Sequence, residues 1–258
     1  MKTTLAMFGS NLLNDDLASI IKLNEICNNL GLDTISVGSA IGFAIECYEN
    51  GLITKDQTDG LELTWGNAEA IVAMTEKIGN REGFGDILAD GVAAAAKKLG
   101  DIGADYQVHV DGEEIPAHDQ KFLPDLSPVY LLAPTPGRHT QGGELITPPG
   151  LDLPEGDKYN YTGKAESHYK LMSLMEVVNS AGLCMFGYVS YPIESLAEQL
   201  SAATGEEYDL EKLCEIGMRI FTMRHAFNLR EGINPLERNV PGRLVGEPPL
   251  KEGNVKDI

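Results

Sequence analysis

The 258-residue chain has no C-x-x-C pair, and its four cysteines, Cys27, Cys47, Cys184 and Cys214, stand far apart. This excludes a disulfide framework and leaves no complete ligand set for zinc or an iron-sulfur cluster. No apolar run approaches the roughly 18 residues that a membrane span requires. The opening "MKTTLAMFGSNLLNDD" has neither a long apolar core nor a small-residue cleavage site, so the expected location is cytoplasmic, with no membrane partner. Positive charge is also scarce, with 20 Lys and Arg against 39 Asp and Glu and a formal net charge of -19. A surface of that sign repels phosphate backbones, so nucleic acid is not an expected partner. The single tryptophan, Trp65, precedes a capped helical run and reads as a core anchor.

Helical signals dominate what is present. "NDDLASIIKLNEICNNLG" offers Asn14 as N-cap and an apolar stripe through Leu17, Ile20, Ile21, Cys27 and Leu30, and Gly31 supplies a left-handed stop. A second helix is expected from Ser36 to Asn50, a third from the Asn67 cap to about Arg81, and a fourth capped by Asp86 and stopped by Gly100. "YQVHVDGEEIP" breaks the pattern, because alternating Tyr106, Val108 and Val110 lead into Asp111-Gly112, a tight-hairpin signal. From Pro124 to Asp157 the chain is too rich in Pro and Gly to predict regular structure, and a long ordered loop of that kind is more often a binding segment than a spacer. Helices then resume in "KAESHYKLMSLMEVVNSAG", from Ile193 to Thr204, and in "DLEKLCEIGMRIFTMRHAFNLREG". The expected architecture is mainly α: a multihelical two-domain fragment with at most a short β-hairpin near the boundary. Residues 1–112 form the first helical domain, and residues 113–258 form the second, which includes the long loop.

One local motif occurs twice. "NNLGLD" (Asn28 to Asp33) and "NSAGLC" (Asn179 to Cys184) both end an amphipathic run at Gly-Leu and place a polar or thiol side chain immediately after. Gly followed by a hydrophobic residue is the ordinary way to end a helix. The same corner also gathers unpaired carbonyls and N–H groups, as a ligand site would. Cys27, Cys47 and Cys214 read as small buried hydrophobes, whereas Cys184 follows a helix stop, where N–H groups can support a thiolate. Arg219, Arg224 and Arg230 do not share one helical face, so salt bridges to this acidic chain are their expected use, including Arg219 with Glu215 at i,i+4 spacing. His118, in "EIPAHD", reads as structural, paired with Asp119 or a backbone group, and His109, His168 and His225 carry no assignment.

In order, "NNLGLDTISVGSAIGFAIECYENGLIT", "LTWGNAEAIVAMTEKIGNREGFGDILADGV", "EIPAHD", "NSAGLCMF" and "AFNLREG" closely resemble the carboxy-terminal helical part of the tungsten-containing aldehyde ferredoxin oxidoreductases. The resemblance runs from about Leu5 to Pro249. It implies an enzyme that oxidises an aldehyde to a carboxylic acid at tungsten or molybdenum held by two pterins, with a 4Fe-4S cluster passing electrons to ferredoxin. It also implies that Asn28, Leu32 and Asp33 line one pterin, that Asn179, Leu183 and Cys184 line the other, that Cys184 is the last cluster ligand, and that His139 in "TPGRHTQGG" lies near the metal. Taken without the resemblance, His139 reads as a surface loop histidine.

The chain departs from the family pattern in several places. Asn28 and Asn179 stand where relatives carry Asp, Thr3 stands where they commonly carry Glu, and the amino-terminal pterin-binding domain with its C-x-x-C-x-x-x-C run does not appear. The expectation is therefore a fragment or split subunit, inactive and cofactor-free alone, that needs the missing amino-terminal domain as partner. Two alternatives stand beside this reading: a carboxylate or aryl-thioester reductase of the same family, and a cofactor-free helical scaffold.

Overall fold

In a computed structural model, the structure describes residues 2–141, 147–153, 158–160 and 162–247. The α-helices are α1 (Lys2–Phe8), α2 (Leu17–Leu30), α3 (Thr34–Glu49), α4 (Ala68–Asn80), α5 (Phe84–Leu88), α6 (Val92–Lys98), α7 (Leu126–Leu132), α8 (Lys164–Ser180), α9 (Met185–Tyr188), α10 (Glu194–Thr204) and α11 (Leu210–Arg230). Among the described residues there is no β-strand, only a single bridge between Val110 and Glu113. The Asp111-Gly112 signal thus produces the turn alone, with both residues at positive φ (54° and 91°) and the flanking N–H groups donating to each other's carbonyls at 2.8 and 3.0 Å. His109 locks the turn: its Nδ1 accepts from the Gly112 N–H at 3.2 Å, which leaves Nε2 to donate to Gln107 Oε1 at 3.1 Å. No single helix among the described residues is long and apolar enough to cross a membrane.

The chain divides into two compact units, Met1–Lys121 with Asn239–Ile258, and Phe122–Arg238. Residues 113–121 and the described stretch from Asn239 therefore lie in the first unit. The Asn239 carbonyl accepts from the Asp111 N–H at 2.7 Å, the Leu244 carbonyl from Gln120 Nε2 at 2.7 Å and the Arg243 carbonyl from Lys121 Nζ at 2.9 Å.

In the first unit α3 is the central element, buried on nearly every side through Val37, Ala40, Ile41, Phe43, Ala44, Ile45 and Cys47. Its glycines admit a neighbour: a Cβ at Gly38 would stand 2.8 Å from Met7 Cβ on α1. Caps follow the sequence closely at Asn67, whose Oδ1 accepts from the Ala70 N–H, but not at Asn14. Asp16 is the cap of α2, accepting from the Ala18 N–H, and Asn14 supports it by accepting from the Asp16 N–H and donating to Ser19 Oγ. The expected fourth helix is two, α5 and α6, separated at Gly91 (φ 88°). Buried Glu114 supplies the cap for α6, its Oε1 accepting from the Val92 N–H at 2.7 Å, a contact 22 residues distant in sequence. Lys2–Phe8 adds a further helix, so the first hundred residues hold six α-helices rather than the four expected.

In the second unit, the Pro- and Gly-rich stretch expected to be irregular contains α7 and a 3-10 turn, His139–Gln141. Pro128 is tolerated in α7 because the first turn has no intrahelical acceptor for its absent N–H. The core of this unit is built from Leu174, Val178, Tyr188, Ile193, Leu196 and Leu213. Helices α8 and α11 run against each other so closely that a Cβ at Gly217 would meet the Ser173 carbonyl oxygen at 1.9 Å. Backbone cannot yield as a flexible side chain would. Gly217→Ala is therefore expected to destabilise the chain by about 1–3 kcal/mol, measured as a lower denaturant midpoint with unchanged helical circular dichroism.

Candidate functional site

The two Asn-x-x-Gly-Leu segments fold into the same corner. In the first, α2 ends at Gly31 (φ 69°), and the N–H groups of Gly31 and Leu32 both reach the Cys27 carbonyl, the latter at 2.8 Å. In the second, α8 ends before Gly182 (φ 70°), and the Leu183 N–H reaches the Val178 carbonyl at 3.0 Å. Leu32 and Leu183 thus make the same five-back hydrogen bond, a glycine-dependent helix stop. The residue that follows is extended in both, Asp33 at φ -76° and ψ 124°, Cys184 at φ -80° and ψ 130°, and each opens the next helix, α3 or α9. A Cβ at either glycine would meet nothing within 4 Å, so positive φ and not crowding demands glycine at both.

The side chains on the corners differ in ways that decide their use. Asp33 caps α3, its Oδ2 accepting from the N–H and hydroxyl of Ser36 at 3.0 and 3.2 Å. Cys184 holds the equivalent position, but its thiol makes no capping bond and is exposed. Cys27 and Cys47 are fully buried, and burial pushes each thiol up to about 11, with the nearby Asp33 and Glu46 charges adding to the effect. Burial also raises Cys214. Cys184 is therefore the one exposed thiol among the four.

Asn28 is exposed and makes no side-chain hydrogen bond to the described residues. Asn179, its counterpart, donates from Nδ2 to the Thr140 carbonyl at 3.1 Å. That bond joins the second corner to the turn that begins with His139, which is half-buried. The structure therefore ties Asn179 to the His139 turn in the second unit, with Leu183 and Cys184 on the same corner as Asn179, while Asn28, Leu32 and Asp33 share the corner in the first.

The rest of the His139 segment is held by residues whose role the sequence did not reveal. Arg224, on α11, donates to Glu176 on α8 at 2.6 Å and to Thr135 Oγ1 at 3.0 Å. Asn228, one turn further along α11, donates to the Pro134 carbonyl at 2.7 Å. The i,i+4 placement of Arg224 and Asn228 in "RHAFN" was the only available signal. Arg224 makes the kind of salt bridge expected of these arginines, but no ion pair joins Arg219 to Glu215 among the described residues. His118 has a lowered pKa, from burial and then from the Lys2 charge, and its N–H donates to the Pro116 carbonyl.

At each corner the space beyond the glycine is open, and an exposed asparagine amide stands in the helical turn before it. A pterin fits this donor and acceptor set. A four-iron cluster does not fit this chain alone: Cys184 supplies one thiol, and no group of three or more His, Cys, Asp or Glu capable of holding a metal occurs among the described residues.

Comparison with known proteins places this geometry in context. The family model described as aldehyde ferredoxin oxidoreductase, domains 2 and 3, matches residues 3–258. The tungsten-containing aldehyde ferredoxin oxidoreductase of Pyrococcus abyssi is 34% identical over 251 residues, an alignment covering 95% of this chain and 41% of that protein. The protein of the same description from Thermococcus kodakarensis is 32% identical over 249 residues, covering 95% and 40%. An aliphatic sulfonate oxidoreductase, WOR-like subunit, of Pyrococcus furiosus is 33% identical over 238 residues, covering 88% and 34%. The chain thus spans about two fifths of the length of the aldehyde ferredoxin oxidoreductases it matches. Among solved structures, the active site complex BamBC of benzoyl coenzyme A reductase superposes with a TM-score of 0.68 at 21% identity, over 95% of this chain and 42% of that one, a likeness of fold.

Two outcomes follow from the corners. Asn179→Asp sets a carboxylate against the Thr140 carbonyl and is expected to cost about 1–3 kcal/mol, whereas Asn28→Asp breaks no bond and should stay within about 0.5 kcal/mol; denaturant unfolding of the two variants measures the contrast. Under native conditions at pH 8, alkylation should modify Cys184 first, with Cys27 and Cys47 slower by at least roughly a hundredfold, as read by peptide mass spectrometry.

Proposed function

This chain belongs to the aldehyde ferredoxin oxidoreductase family, and from that premise we propose that it is the helical portion of a tungsten-pterin oxidoreductase that converts an aldehyde to its carboxylic acid. The observation that carries this reading is the repetition of one corner geometry at Asn28–Asp33 and Asn179–Cys184, with the second corner bonded to the His139 turn. The reaction takes one aldehyde and one water to one carboxylic acid, two protons and two electrons, for which ferredoxin would be the acceptor. A tungsten bis-pterin, when bound, supplies the two-electron redox change that no amino-acid side chain can.

This chain's residues orient and polarise. Asn28 would offer Oδ1 to one pterin and Asn179 to the other, Leu32 and Leu183 would each cover the apolar flank of the pterin at their own corner, and Asp33 would offer its second oxygen while the first caps α3. Cys184 would contribute one thiolate to a 4Fe-4S cluster, whose other three ligands would have to come from outside this chain. His139, on a turn with an imidazole able to donate or accept at neutral pH, stabilises the oxygen that gains charge as water adds to the aldehyde carbon, or carries away its proton.

The chain is expected to stay colourless when reconstituted alone with iron and sulfide under anaerobic conditions, and stoichiometric cluster absorption without a second protein would contradict the shared-ligand arrangement. In the complete enzyme, His139→Ala should lower turnover of an aldehyde by roughly two to three powers of ten at unchanged tungsten content. Normal turnover would remove His139 from the chemistry. An assembly that bound no pterin at all would favour a helical scaffold instead.

A further inference from the structure

We propose that Arg224, Asn228 and Glu176 form a clamp that fixes the turn carrying His139, and that they act as positioning residues through that turn. The proposal rests on the role given to His139 above and concerns residues to which no function is assigned.

Between α7 and the His139–Gln141 turn, residues 133–138 have no regular structure of their own, and several polar groups of this stretch and its flanks meet a donor. The Gly137 N–H donates to the Tyr130 carbonyl at 3.1 Å, with Gly137 at φ 69°. The Leu131 carbonyl accepts from Arg238 Nη1 at 2.5 Å, the Pro134 carbonyl from Asn228 Nδ2 at 2.7 Å, Thr135 Oγ1 from Arg224 Nη2 at 3.0 Å and the Thr140 carbonyl from Asn179 Nδ2 at 3.1 Å. The donors and the carboxylate behind them come from faces that helical periodicity sets side by side: Arg224 and Asn228 are four apart on α11, and Asn179 and the acceptor Glu176 are three apart on α8.

Glu176 makes the arrangement directional. It is 1% exposed in a helix otherwise buried through Leu174, Val177 and Val178, and burial pushes its carboxyl up against the opposing pull of Arg224. A carboxylate at that depth holds a guanidinium in one orientation, because releasing it would leave a buried charge without its partner. One fork of Arg224 is thereby fixed to α8, and the other is aimed at Thr135, four residues before His139. A lysine has no second fork with which to do both.

The test uses Thr135→Val and Asn228→Ala, which remove the loop-facing bonds and keep the Glu176–Arg224 pair, with Arg224→Lys as an independent third variant. In the 258-residue chain, hydrogen exchange at the Gly137 amide should accelerate roughly tenfold or more, and the His139 ring resonances should broaden or shift, while α8 and α11 keep their protection. In the complete enzyme the same variants should lower kcat roughly tenfold with KM and tungsten content unchanged. Wild-type exchange at Gly137 together with wild-type His139 ring signals would overturn the clamp, as would global unfolding of all three variants, which would assign these residues to core stability. A loosened turn with undiminished turnover would leave the clamp standing and remove His139 from the proposed reaction, so the two failures are distinguishable.

Discussion

A helix that stops within a folded domain leaves its last carbonyls without partners, and the chain must turn back over them to supply N–H groups. Both candidate corners meet this constraint with glycine at φ near 70° and a leucine N–H reaching five residues back. The consequence reaches beyond helix ending. Once the glycine and leucine are fixed, the next residue is held extended with its side chain at the mouth of the following helix. Its identity then separates the corners: Asp33 caps, whereas Cys184 makes no capping bond and is exposed. One backbone solution thus yields an acid that is half committed to structure and a thiol that is wholly available.

The same logic explains why Asn28 and Asn179 are not equivalent although they occupy one motif position. An aspartate could only accept, and at the second corner the neighbour is a carbonyl. The Asn179 amide resolves this by donating Nδ2 to the Thr140 carbonyl. At the first corner no such carbonyl meets Asn28, so the amide there has no structural necessity. The pattern that reads in sequence as a repeated departure from the family has a physical cause at one site only.

What could be read from the sequence was local. Glycine stops, the Asn67 cap, the Asp111-Gly112 turn and the two corners depend on residues within about one helical turn of each other, and each appears where the local pattern puts it. One error is local, the α2 cap at Asp16 rather than Asn14; others arise where a distant group intervenes. Glu114 caps α6 from 22 residues away, which divides a run that reads as one helix. The contacts that hold the His139 turn span 48 residues for Arg224 to Glu176, 94 for Asn228 to Pro134 and 107 for Arg238 to Leu131, and no spacing rule connects such pairs. The candidate site was legible where it is made of helix ends, and hidden where it is made of side chains reaching from other helices.

The two units differ in how they reach rigidity. Around α3 the first unit packs apolar side chains on all sides, and glycine at Gly38 lets a neighbouring helix come close. The second unit must also order a Pro- and Gly-rich turn that has few apolar side chains to bury and whose carbonyls cannot pair with one another. Proline removes N–H donors from that segment, so its carbonyls need donors from elsewhere. Arginine and asparagine side chains on α8, α11 and the residues after them supply these donors. Five donors in a planar fork make arginine suited to span a carboxylate and a hydroxyl at once, which is why a buried glutamate is retained beneath it despite the desolvation it suffers. In a chain with a net charge of -19, two arginines of this unit reach a segment short of donors of its own, Arg224 at the Thr135 hydroxyl and Arg238 at the Leu131 carbonyl, whereas Arg230 pairs with Glu231.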